Sequence, residues 1–475
     1  MKNKLLICVV AAVMLLCTAC GHSPGAAEES TAQETEKKRE YLDDLPETDA
    51  YAGVEFRVLA GNPAAENNFL MTDPGADATV LQSASYGCAE LLAERFGITM
   101  KYTFMDSYAA GHQAFLAEIT QTTLGGPETS YDLVVPGFWY GLTIAKGNYI
   151  DLNTLSNLNF SREYWNQAFN ENVEINDCLY ACVGDFGLDS MTGAYAVAFN
   201  QSILRNKDMT SPFAHYDSNT WTLETLLSMS KDAYNDDIEG AETYGILLSR
   251  QPVDAFYTAS GLKFYEISDG EYKLTKYSEK AEDLYQTLYK LVKGNAECKF
   301  TSVTDKAELV DLFMQDRALF GCFTLDEIKE FRNMQTDYGV IVYPKYDSAQ
   351  ENYISGTSGG GIFAIPKAAR DPEMSALVLE AMSAAFHQNV IPALIEITLE
   401  GQSVRDERSS QMISQIIENI YWDFGFINNN SLGNVANFGI EMENGYSTMS
   451  SWYRSAERTY RTKLAEYLNT FLTDA

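Results

Sequence analysis

Positive charge is scarce in this chain of 475 residues: 34 Lys and Arg stand against 66 Asp and Glu, for a formal net charge of -32. Polyanion binding needs clustered basic groups that displace counterions, so nucleic acid is not an expected partner, and the acidity reads as a solvated surface. Histidine is rarer still, with four in all, and no two of His22, His112, His215 and His387 stand at ligand spacing. Without a cysteine–histidine grouping, no metal centre is expected, and nothing calls for a cofactor. Of the eight cysteines, Cys88, Cys178, Cys182, Cys298 and Cys322 lie in the body of the chain. That odd set is no disulfide scaffold in a chain long enough to build its own core. No Gly-Lys-Ser/Thr triplet occurs, which removes the common phosphate-binding loop. The apolar run at residues 5–16 falls short of the roughly 20 residues that a membrane span needs.

That run follows Lys2 and Lys4 and reads as a secretory signal peptide. It closes on Cys17-Thr18-Ala19-Cys20-Gly21, which resembles a bacterial lipobox, with Cys17 where leucine is usual. The resemblance implies removal of residues 1–19, lipidation of Cys20, and attachment to the outer face of the cell membrane through acyl chains alone. Residues 20–50 are charged and poor in large apolar groups, the composition of a flexible tether. From Tyr51 onward enough patterned chain remains for two domain-sized cores.

Two motifs invite catalytic readings. Asp185-Phe186-Gly187 is the magnesium-holding triplet of protein kinases, but the glycine-rich loop, strand lysine and catalytic loop of that family are missing upstream. Gly356, Ser358 and Gly360 have the spacing of a hydrolase nucleophile elbow, and Asp371 and His387 follow in the order of a triad. An elbow needs a helix directly after the serine; here Ile362-Phe363-Ala364-Ile365-Pro366 reads as an apolar strand. No acidic pair singles itself out for glycoside hydrolysis.

The body of the chain alternates strand and helix: a strand over 54–60, an amphipathic helix over 84–96 ended at Gly97, a strand over 98–104, a helix over 111–122, and the buried strand of "YDLVVPG". This predicts an α/β lobe with a largely parallel sheet, whose ligand lies beyond the carboxyl ends of the strands, near Asn62, Trp139 and Tyr140. From here the chain resembles the extracellular solute-binding proteins of the sugar-binding type, the lipid-anchored receptors of ABC importers. "YDLVVPGFWYGLTIAKGNYIDL", "DCLYACVGDFGLDSMTGAYAVAFNQSIL", "NTWTLETLLSMSKDAY", "DLFMQDRALFGCFTLDEIKEF", "DYGVIVYPKYDSAQENYISGTSGGGIFAIPKAARDPEMSALVLEAM" and "MSSWYRSAERTYRTKLAEYL" carry the likeness over nearly all of residues 51–475. In "NTWTLETLL", Thr222 is placed to cap a helix with Trp221 beneath it.

The resemblance implies a two-lobed, periplasmic-binding-protein-like α/β fold with three inter-lobe crossings, near 184–192, 315–322 and 356–361. It groups residues 51–186 with 321–357 and residues 193–315 with 362–475. Glycines near 184–192 and 356–361 then act as hinges rather than phosphate cradles. It implies no enzyme but a monomeric receptor that closes on a carbohydrate and hands it to the transmembrane subunits of an ABC permease. Sugars present an apolar face to aromatic rings and a hydroxyl rim to polar groups. The expected platforms are Trp139, Tyr140, Tyr257, Phe323, Trp452 and Tyr453, with Asn62 and Asp185 as hydroxyl partners. A receptor for a peptide or other non-sugar solute, a secreted hydrolase and a surface adhesin remain as alternatives.

Overall fold

The computed structural model describes residues 41–61, 75, 78–107, 111–237, 241–268, 270–275, 277–302, 306–398 and 407–472, and of Tyr140, Arg332 and Leu472 the backbone alone. The expected signal segment, Cys20 and Asn62 lie outside the described residues. No helix among the described residues is long and apolar enough to cross a membrane. The expected tether is shorter than its composition suggests. Asp43 is buried and accepts two hydrogen bonds from the Arg95 guanidinium, at 2.7 and 2.8 Å, so the chain is anchored from residue 41.

The first sheet opens with β1 (Glu55–Gly61), followed by helix α1 (Val80–Phe96), β2 (Thr99–Met105), α2 (His112–Leu124) and β3 (Leu133–Val135). The strand order is β2-β1-β3, all parallel. Helix α1 starts four residues before the expected point because Thr79 and Gln82 form a capping box, and it stops at Gly97 in the left-handed conformation. Directly after β3 a single turn, α3 (Phe138–Gly141), carries Trp139.

The second sheet begins after a short helix α4 (Leu188–Thr192) with β4 (Tyr195–Asn200). Helix α5 (Leu223–Ala233) follows, capped by Thr222 as expected, and Trp221 is fully buried beneath it with its indole N–H on the Val342 carbonyl at 2.9 Å. Then come β5 (Tyr244–Ser249), α6 (Arg250–Ala259), the hairpin β6 (Tyr265–Ser268) and β7 (Glu271–Leu274), α7 (Glu279–Gly294), β8 (Cys298–Thr301), α8 (Lys306–Met314), β9 (Ala318–Thr324) and β10 (Tyr338–Ile341). The order is β10-β4-β9-β5-β8, antiparallel around β4 and parallel around β5. Every residue of β4 and β9 is buried, as central strands covered on both faces require.

Strand pairing redistributes two segments of the expected grouping. Residues 318–324 and 338–341 belong to the second sheet, because β9 is hydrogen-bonded between β4 and β5; the expected hinge at 315–322 therefore falls on a central strand. Residues 362–366 return to the first sheet, where Ala364 bridges Val134 and Pro366 bridges Tyr149, both antiparallel. Arg370 fastens this return by donating to both oxygens of the buried Asp132 carboxylate, at 3.1 and 2.5 Å, and to the Glu55 carbonyl at 2.7 Å. The long helix α9 (Pro372–Thr398) then packs on α1, while α10 (Glu407–Glu418) packs on β10. Two short helices, α11 (Phe424–Ile427) and α12 (Phe438–Glu443), and the long α13 (Met449–Leu472) complete the second layer, with α12 against α6 and α13 against α7.

Two passages between the sheets, among the described residues, run side by side. Tyr195 N–H donates to the Gly356 carbonyl at 2.9 Å, Ser358 N–H to the Gly193 carbonyl at 2.8 Å, and Gly361 N–H to the Asp189 carboxylate at 2.8 Å. Segments 189–195 and 356–361 are thus joined into one hydrogen-bonded ribbon, which satisfies backbone groups where they are buried.

Candidate ligand-binding cleft

Where that ribbon meets α3 and the amino end of α6, the two layers enclose a cavity of about 480 Å³. Trp139 comes from the first layer, Tyr195 and Ser358 from the ribbon, and Arg250, Gln251 and Asp254 from α6. Phe426 of α11 and the turn carrying Asn429, Asn430, Asn434 and Asn437 close the far side. A smaller enclosure continues inward past Tyr195 and Asp254 to Thr258, Tyr421 and Asp423.

Trp139 is held by its neighbours rather than by its own short helix. Gly137 bridges Gly361, Phe138 N–H donates to the Gly360 carbonyl at 3.1 Å, and the Phe138 ring stacks on Phe426 at 5.5 Å and meets Trp422 edge-on at 5.5 Å. The half-buried Trp139 indole lies 4.8 Å from the Phe426 ring. The approach of Phe138 to the ribbon needs Gly359: its φ is +110°, and an added Cβ would sit 1.6 Å from the Phe138 ring.

Arg250 and Asp254 stand one turn apart on α6 and share its cavity face. The Asp254 Oδ1 accepts from Gly439 N–H at 2.6 Å, and burial, against the pull of that bond and of Arg250, pushes the carboxyl up to about 7. The asparagine turn is self-built: Asn429 accepts from Ala436 N–H at 2.7 Å and donates to the Asn437 carboxamide at 2.9 Å, and Asn434 takes a left-handed conformation with φ 66°. That leaves Gln251, Asn430 and Asn434 with no side-chain hydrogen bond among the described residues.

The expected site residues separate. Trp139 lines the cavity; Tyr140 follows it in α3 with its side chain outside the described residues. Asp185 lies elsewhere, in a groove of about 640 Å³ between α9 and α10, where its carboxylate meets His387 Nδ1 at 2.6 Å. Tyr257 is 4% exposed and stacks on Phe264 at 4.2 Å, a core position under the smaller enclosure. Phe323, on β9, fills the core beside Phe313 and Phe331. Trp452 and Tyr453 are buried where α13 packs, Trp452 beside Tyr285 and Tyr453 with its hydroxyl on the Thr275 carbonyl at 2.7 Å. All four rings are consumed by packing. Conversely, sequence reading passed over Tyr195, Arg250, Gln251, Asp254, Phe426 and the asparagines. Two signals were there: "RQPVD" opens a helix directly after a strand with a charged pair four apart, and Asn428-Asn429-Asn430 with Asn434 and Asn437 concentrates amides inside an apolar segment.

The triad order noted in the sequence does not assemble. Ser358 lines the cavity, whereas His387 is held by Asp185 in the groove.

No protein-family model and no curated protein matches the sequence. Solved structures do match. An ABC transporter solute-binding protein of Thermotoga lettingae, bound with α-D-tagatose, superposes with a TM-score of 0.56 at 12% identity over 86% of this chain and 99% of its own. The cyclic α-maltosyl-1,6-maltose binding protein from Arthrobacter globiformis gives 0.57 at 11% over 88% and 99%. The maltose/maltodextrin-binding domain from Bdellovibrio bacteriovorus, bound to maltotriose, gives 0.54 at 12% over 87% and 100%. Identities this low speak for architecture alone. The chain has the two-lobed, periplasmic-binding-protein-like fold of the solute-binding proteins of ABC transporters.

Proposed function

We propose that the protein is a carbohydrate receptor of an ABC importer, held at the outer face of the membrane through Cys20, which captures an oligosaccharide between its lobes and presents it to a permease. The observation that carries this reading is the cavity itself: an indole at one wall, amides with Arg250 and Asp254 at the other, contributed by both layers and by the ribbon between them. An aromatic face takes the C–H side of a pyranose, and carboxamides with unspent donors and acceptors match its hydroxyls. The ligands bound in the structural neighbours, tagatose and maltotriose among them, are of the same class. Closure about the ribbon would couple binding to shape, since a ligand that touches both lobes favours the state in which both touch it.

The test is a thermal-shift screen of residues 20–475 carrying Cys20→Ser, against mono- and oligosaccharides with amino acids and peptides as controls. A ligand at a hundred times its dissociation constant stabilises by about 2.7 kcal/mol, a shift of a few degrees for a chain of this size. A response confined to a group of oligosaccharides supports the receptor; a response to peptides only, or to nothing, removes it.

A further inference from the structure

We infer that Asp254 and Glu443 set the charge selectivity of the cleft: by occupying Arg250 they make the site accept uncharged carbohydrate and reject uronates, phosphosugars and peptides. This rests on the receptor reading and narrows its ligand class. Arg250 is the one cationic side chain lining the cavity among the described residues. An anionic ligand would therefore have to use it.

Its charge is already balanced from two sides. Asp254 stands four residues on, on the same helix face, and is within electrostatic reach of Arg250. Glu443, from α12, brings a carboxylate oxygen to 4.0 Å from Arg250 Nε. The same Nε is buried and has no hydrogen-bond partner. The charge of Arg250 is thus opposed before any ligand arrives, which removes the advantage a carboxylate would otherwise have over a hydroxyl at this wall. Apart from Arg250 and Asp254, the polar side chains of the lining, which include Gln251, Ser358, Tyr195 and the four asparagines, are neutral. A peptide, which needs a cation for one end and an anion for the other, would find the one cation already facing two carboxylates. Bringing a further anion beside Asp254 and Glu443 places like charges together in a partly dehydrated site, and such an arrangement discriminates by repulsion rather than by added attraction.

The groups that face Asp254 are Arg250 on its own helix, Gly439 N–H and Glu443 on α12, and the Tyr195 ring on β4. With burial holding Asp254 near 7, the repulsion is complete above that pH and relaxes below it, as Asp254 takes a proton and Arg250 is left with less opposing charge. Affinity for an anionic ligand should therefore rise as pH falls from 8.5 to 5.5.

The experiment is calorimetry on residues 20–475 with Cys20→Ser at pH 8, using maltotriose, mannotriose and xylotriose as neutral probes, trigalacturonate as the anionic probe and trialanine as the zwitterion. The expected result is that the best neutral probe binds at least tenfold more tightly than trigalacturonate or trialanine. Asp254→Asn, which keeps the acceptor for Gly439, should shrink that ratio at least fivefold and abolish the pH response to trigalacturonate. Glu443→Gln, outside the cavity lining, should shrink the ratio in the same direction and carries the test if Asp254→Asn does not fold. Trigalacturonate or trialanine binding within threefold of the best neutral probe overturns the selectivity while leaving a receptor in place, as does a ratio unchanged in both variants. Binding of no saccharide, neutral or anionic, overturns the receptor reading and the selectivity with it.

Discussion

Two spaces among the described residues invite comparison, the cavity at Trp139 and the groove at Asp185, of about 480 and 640 Å³. Both lie between helices of different layers, and both combine a tryptophan with acidic and amide side chains. What separates them is how far those groups are spent. In the groove, His387 and Asp185 hold each other, Trp165 N–H is given to the Glu380 carboxylate at 3.1 Å, and Asn166 caps a helix through Phe169 N–H at 2.8 Å while donating to the Ile420 carbonyl. In the cavity, Gln251, Asn430 and Asn434 have no side-chain hydrogen bond among the described residues, and the Trp139 indole is only half-buried. Polar groups that satisfy one another build the fold; polar groups left unsatisfied at the edge of a space are there for something else.

The sharpest way to break that contrast is to truncate the tryptophan of each space. Trp139→Ala should weaken saccharide binding at least tenfold, about 1.4 kcal/mol, with the melting temperature of the free protein little changed, because the ring is half-buried and its neighbours Phe138 and Phe426 remain. Trp165→Ala should do the reverse: a buried ring and its bond to Glu380 are lost, stability falls by about 3 kcal/mol or more, and affinity in the surviving folded fraction is unchanged. Titration calorimetry beside thermal melts separates the two. Equal loss of affinity in both variants would erase the distinction between the spaces.

A subtler variant sharpens the comparison without touching either space. Gly359→Ala forces a side chain into a positive-φ position and onto the Phe138 ring, costing about 1–3 kcal/mol of stability. Because Phe138 braces Trp139, affinity should also fall, by several-fold rather than by the full amount of Trp139→Ala. An affinity identical to wild type would show that Trp139 does not depend on the ribbon.

Much of this fold was legible and the site only in part, for reasons that particular residues make plain. Val58, Leu59 and Leu133 to Val135 betray buried parallel strands by their unbroken apolar runs, and Thr222 betrays a helix start by its chemistry; such signals are local. The partner of a strand is not local. Nothing in "ALFGCFT" says that it pairs with β4 and β5 rather than joining the first lobe, so the grouping of 318–324 and 362–366 emerged only from the register. Phe323, Trp452 and Tyr453 share the residue types of a sugar platform, but a ring's type does not say whether packing has claimed both its faces. Arg250 and Asp254 were hidden for the opposite reason: a charged pair at helix spacing is common on any exposed helix, and only the fold turns this one toward a cavity.

The smallest effect on binding, and the one that tests the groove by itself, is expected of His387→Gln. The hydrogen bond and charge of Asp185, helped by Glu163 at 3.5 Å, raise the pKa of His387 above its ordinary value, while burial raises that of Asp185 despite the pairing. A histidine whose folded pKa is raised contributes stability that is fully present below its unfolded pKa, near 6.5, and is lost as pH rises through the folded value. The variant should therefore lose more stability at pH 5.5 than at pH 8.5, measured by denaturant melts at both, and saccharide affinity at pH 7 should not change. A stability loss independent of pH would mean that the imidazole serves only to fill space, and a fall in affinity would mean that the groove, and not the cavity alone, answers to the ligand.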